Sequence, residues 1–197
     1  MTSAIEKLDQ DVAIVAYMAA EMESYLNSDV LFWNMRRSGL PALTLGGYLM
    51  RQYRLLRLQK LLHDSKKKEL DAAVQQYNDA LVEKIIRFEQ KAHRELDARL
   101  RQWGEYLKDV DRGTAASTSN YRNAVETRAM IAALTEQLQL APYEIEPRVL
   151  SETSLLDRQL KRVWKPGEFI WFEEWQPAYP LEYYWWLYGN PREKTKK

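Results

Sequence analysis

This chain of 197 residues predicts an all-α fold: an elongated helical bundle around one helix of about 40 residues, with an irregular, aromatic-rich C-terminal segment packed on it. Three observations carry that expectation. Apolar residues recur at helical spacing over most of the chain. Seven glycines and seven prolines are too few for a fold made of many tight turns. Hydrophobic residues reach 46%, enough for a core rather than a disordered chain.

The first helix opens on Ser3 and Glu6, the spacing of a capping box. Ile5, Leu8, Val12, Val15, Ala19, Met22 and Leu26 then step by three and four, a seam suited to a neighbouring helix. Asn27, Ser28 and Asp29 end it. The connection from Val30 to Ala42 is apolar, and Phe32 and Trp33 are expected to cap one end of the core. A second helix is expected from Thr44 to His63, with leucines spread over a broad face.

The third helix is the expected spine. From Leu70 through Tyr77, Leu81, Ile85, Phe88, Leu96 and Trp103 to Val110, apolar positions recur on average every ~3.6 residues, the period of a straight helix. Glu95 with Arg99 is among its expected exposed pairs at i, i+4. The polar stretch Asp111 to Ser119 breaks the chain. Helices follow over Asn120–Leu140 and Val149–Trp164, separated by Pro142 and Pro147. The half-length helices two and four are expected along the two halves of the spine, helix one beside helix two. The second half is left short of cover.

Eleven aromatic residues fall in the 28 positions from Trp164 to Pro191. They define the expected division: a helical bundle domain, 1–164, and a C-terminal extension, 165–197, closing in a disordered basic tail. The rings are expected either to wrap the uncovered half of the spine or to expose a docking surface, for which Trp171, Trp175, Trp185 and Trp186 are the candidates. A membrane-interface belt is a weaker option because the interleaved charges are acidic.

Charge is uneven although the net is +1. Met1 to Asp29 carries six acids and one lysine, while Arg36 to Lys68 carries nine basic residues and one acid. Arg36, Arg37, Arg51, Arg54, Arg57 and Lys60 are therefore candidates for polyanion binding, with Tyr48 and Tyr53 placed to stack on bases. The competing expectation is that they pair internally with the acidic first helix.

Catalytic and metal signatures are not found. There is no cysteine, and neither His63 nor His93 has a glutamate three residues before it, as the repeated motif of diiron bundles requires. No HExxH or GxSxG occurs. No metal and no cofactor is expected. No run of residues suffices to span a bilayer, the N-terminus lacks a secretory pattern, and the expected location is cytoplasmic. The first functional expectation is a non-catalytic interaction or scaffold protein, partnered by itself as a homodimer or by another protein. The alternative is a nucleic-acid-associated accessory protein using residues 36–68, and the third is an enzyme with an unidentified cleft.

Overall fold

A computed structural model describes residues 3–114 and 118–192. The expected basic tail, 193–197, lies outside them. Among the described residues, seven α-helices span Ala4–Asn27 (α1), Leu45–Arg57 (α2), Asp64–Leu81 (α3), Ile85–Arg112 (α4), Thr118–Leu138 (α5), Pro147–Val163 (α6) and Leu181–Tyr184 (α7). Two short strands, Trp164–Phe169 (β1) and Tyr188–Pro191 (β2), pair antiparallel. The fold is mostly α, as expected.

α1 begins as its sequence dictates. The Ser3 hydroxyl accepts the Glu6 amide at 3.2 Å, and the Glu6 carboxylate accepts the Ser3 amide at 2.7 Å, so two amides free at a helix start are satisfied. Its seam from Leu8 to Leu26 is buried. Ile5 is exposed, with Ala4 buried instead. Phe32 does not cap the core either; it is exposed, with the Arg99 guanidinium 5.3 Å from its ring.

The 40-residue spine is corrected to two helices. α3 ends at Leu81 and α4 starts at Ile85, the Lys84 amide closing the turn onto the Leu81 carbonyl at 2.9 Å. The physical reason lies in the partners: α3 packs along α1, whereas α4 packs on α5 and α6. Lys84 also meets Glu23 of α1 at 3.3 Å, tying the turn to the first helix. No glycine or proline marks the break. The apolar stripe resumes in phase, with Leu81 and Phe88 both buried seven residues apart, and only Ile85 falls out of it. Helix two is likewise shorter than expected, ending at Arg57 before a 3-10 turn over Gln59–Leu61. His63 consequently stands at the N-cap of α3 rather than in the last turn of α2.

The C-terminal segment is folded over its described residues, 165–192, and it does not cover the second half of the expected spine. α5 and α6 occupy α4, and the segment packs on α2 and α5. The β1–β2 pair closes it into a loop, aligning Trp164 with Pro191 and Phe169 with Tyr188. At Gly189, φ is +144° and a Cβ would stand 2.2 Å from the Lys165 carbonyl oxygen, so the crossing of the strands requires glycine. Inside the loop, Trp171, Trp175, Tyr179, Trp186 and Leu187 join the same apolar cluster as the helices. Two anchors come from α5: Arg122 donates to the Ile170 carbonyl at 2.8 Å, and the Tyr121 hydroxyl donates to the Trp186 carbonyl.

Candidate functional site

The basic segment does not form one cationic stripe. Arg54 is only 3% exposed. It donates to Asp11 of α1 at 2.8 Å and to the Tyr179 hydroxyl at 3.1 Å. Its guanidinium also lies 4.0 Å from the Trp175 ring centroid and 4.9 Å from that of Trp171. Arg51 reaches the other oxygen of Asp11 at 3.4 Å and donates to the Gly47 carbonyl at 2.8 Å. Burial pushes the Tyr179 phenol up, so it remains a neutral acceptor for Arg54. These two arginines therefore tie the acidic first helix, α2 and the aromatic segment together.

The remaining candidates lie apart from that tie. Arg57 rests 3.5 Å from the centroid of Tyr53 and 3.5 Å from Glu136 of α5. Arg37 stacks on Tyr17 at 4.2 Å. Arg36 and Lys60 are exposed.

Trp171, Trp175 and Trp186 are buried, and Trp185 is half-buried against Trp164, with ring centroids 5.4 Å apart. The four rings expected as a docking face are packed against the protein itself. Packing is the expectation this geometry agrees with, although the rings cover α2 and α5.

Three charged residues of α4, Lys91, Glu95 and Arg99, are buried, which their charge and spacing do not signal. Glu95 is fully buried rather than exposed; it accepts the Gly46 amide at 3.0 Å and Arg99 at 3.2 Å. A Cβ at Gly46 would lie 2.8 Å from the Glu95 carboxylate, so the start of α2 approaches α4 at a distance only glycine permits. Lys91 is 4% exposed and donates to the carbonyls of Tyr25, Ser28 and Val30 at 2.9, 2.8 and 2.7 Å. A cation at the carbonyl end of α1 complements the helix dipole. Burial, with Arg94 nearby, pushes its ammonium down to about 8. The signal for Lys91 was its place beside Ala92 on the apolar stripe.

His93 is also committed. Its Nδ1 lies 3.0 Å from the Glu89 carbonyl and its Nε2 accepts the Glu146 amide at 3.2 Å, an arrangement that requires the neutral ring with the proton on Nδ1. Arg128 of α5 makes a two-point contact with Asp157 of α6, both distances 2.9 Å. Among the described residues no cluster of histidine and carboxylates suits a metal ion, and no helix is long and apolar enough to cross a membrane.

Two surface features remain. At the α3–α4 turn, a cleft of about 900 Å³ is bordered by the end of α1 and the start of α4. Its lip carries Val82 and Ile86, 71% and 72% exposed, the most exposed large apolar side chains among the described residues. Lys84, Arg87 and Arg94 alternate with Glu83 and Asp29 around it. A second groove, of about 620 Å³, lies between α2, α5, α6 and the C-terminal segment, with Tyr53, Tyr184 and Trp186 among its walls. At the first, the Ser28 hydroxyl donates to the Tyr25 carbonyl at 2.8 Å and the Lys91 ammonium to three backbone carbonyls. No protein-family model matches the chain, and neither the curated proteins nor the solved structures provide a match.

Proposed function

We propose that this chain is a non-catalytic helical interaction protein that pairs with a second copy of itself through the α3–α4 turn. The observation that carries the reading is the exposure of Val82 on the turn and Ile86 at the start of α4, 71% and 72%, on the border of one cleft. Exposed apolar groups on neighbouring turns mark surfaces that associate. A two-fold contact must be complementary to itself. This patch has the required mixture, with Lys84 and Arg87 beside Glu83 and Asp79 around an apolar centre. The buried charges Asp11, Arg54, Lys91, Glu95 and Arg128 are engaged in structural ties, which weighs against a catalytic cleft.

The nucleic-acid reading draws less support. Arg51 and Arg54 share Asp11, and the exposed cations Arg36, Lys60 and Lys68 lie on different elements.

Light scattering over a concentration series tests the proposal. The wild-type chain is expected to move from monomer to dimer as concentration rises. A variant carrying Val82→Glu and Ile86→Glu should remain monomeric with unchanged helicity, because like charges then face one another across the axis. A wild-type chain that stays monomeric throughout the series overturns the reading.

A further inference from the structure

The groove against the aromatic segment is built from other elements and stands independently of self-association. Its volume, about 620 Å³, falls within the ~300–1,000 Å³ of small-molecule sites. The ring centroids of Tyr53 and Tyr184 are 5.8 Å apart, and those of Tyr184 and Trp186 5.5 Å, giving an angled aromatic wall. Burial pushes both tyrosine hydroxyls up, so the wall is uncharged.

Two polar atoms on this wall lack a partner. Trp186 is 1% exposed, yet its indole N–H meets no acceptor, and the buried Thr135 hydroxyl on α5 is also unsatisfied. Buried donors are almost always satisfied in folded proteins, because an orphaned one loses its bond to water without replacement. Other unpartnered groups, such as those of Tyr77 and Trp103, do not line this groove. Thr135 and Trp186 do line it, their unpartnered atoms lying just beneath its surface.

Charge narrows the class of ligand. Arg57 and Arg128 face the groove together with Glu136 alone among carboxylates. Arg128 is held by Asp157, whereas Arg57 rests on the Tyr53 ring at 3.5 Å and pairs loosely with Glu136 at 3.5 Å, the Arg57 and Glu136 side chains being roughly half exposed. Arg57 is therefore able to exchange partners at the mouth.

We propose that the groove binds a small aromatic compound bearing an anionic acceptor group, its ring against Tyr53 and Tyr184 and its acceptor end shared between Arg57, Thr135 and the Trp186 indole. The test uses indole-3-acetate as probe and indole-3-acetamide as its uncharged counterpart. Each is titrated into nitrogen-15-labelled protein while the indole N–H resonances of the seven tryptophans are followed. The Trp186 resonance is assigned from the spectrum of Trp186→Phe.

Indole-3-acetate should shift that resonance saturably and bind roughly tenfold more tightly than the amide. Arg57→Gln, at the exposed mouth, should bring the two probes to similar affinity, and Thr135→Val should weaken both. Absence of a saturable shift overturns the proposal. So does a shift spread over all the indoles, or equal binding of both probes that Arg57→Gln leaves unchanged.

Discussion

Arg54 and Lys91 are both buried cations, and the molecule neutralises them in different ways. Arg54 is matched by a carboxylate from a distant helix, a phenol and two indole faces, so its charge holds α1, α2 and the C-terminal segment in one place. Lys91 has no carboxylate in direct contact among the described residues; three backbone carbonyls at the end of α1 accept its hydrogen bonds. The first arrangement depends on side chains and fails as a unit. The second depends on backbone that remains in place when the lysine changes. A planar guanidinium suits several partners at once, whereas a compact ammonium suits a cup of oxygens.

The largest expected effect follows from breaking the first arrangement. Arg54→Met leaves Asp11 buried with Arg51 and Lys7 as weaker partners, and it removes the donor to Tyr179. Loss of one partner of a buried pair costs ~3–5 kcal/mol, and the lower end applies because Arg51 stays. Denaturant unfolding should show this loss. Limited proteolysis should show faster cleavage at Lys165, since the segment loses its tie to α2. The double variant Asp11→Leu with Arg54→Met should recover part of the stability, because no carboxylate is then left buried and Arg51 keeps its bond to the Gly47 carbonyl. If Arg54→Met unfolds at the wild-type denaturant midpoint, the tie contributes nothing and the comparison collapses.

A smaller effect is expected where the start of α2 meets α4. Gly46→Ala places a Cβ 2.8 Å from the Glu95 carboxylate oxygen and 3.1 Å from both Leu134 and Met130. The carboxylate must shift or α2 must withdraw, and overpacking of this kind costs ~1–3 kcal/mol. A fall in thermal midpoint without loss of helicity is the expected signature. An unchanged midpoint would mean that α2 and α4 adjust freely, and that the Glu95 contact with the Gly46 amide does not hold the junction.

These residues also show what the sequence made legible. The Ser3–Glu6 capping box, the seam of α1, the gaps between most helices and the electrical match of α1 with α2 were readable because each is local or is a bulk property of charge and period. The break between α3 and α4 was not readable. Val82, Glu83 and Lys84 are ordinary helix residues, and the stripe stays in phase across them, so only the demand that α3 pack on α1 and α4 on α5 turns the chain there. Glu95 and Arg99 have the spacing of an exposed pair; Gly46, 49 positions away, converts them into a buried one. The grooves were invisible for the same reason, since their walls come from three or four elements whose angles no local pattern specifies.

The smallest effect tests the backbone arrangement around Lys91. Lys91→Met leaves three carbonyls without their shared donor. Because two of those contacts are only partly buried, water reaches the site and the loss should be ~1–2 kcal/mol near neutral pH. The pH dependence is the sharper measurement. The folded ammonium is pushed down to about 8 from its ordinary 10.5. Below 8, folded and unfolded chains both hold the proton, and the gap between wild type and Lys91→Met should be flat. From 8 to 10.5 the folded chain releases the proton while the unfolded chain keeps it. The unfolded state then binds more protons, so wild-type stability relative to the variant should rise with pH. Measured as paired unfolding curves, the gap should widen over that window and level off above it. A gap that narrows instead means the three carbonyls hold the ammonium more strongly than water does, and Lys91 would then resemble Arg54 in being held by its partners rather than penalised by its burial.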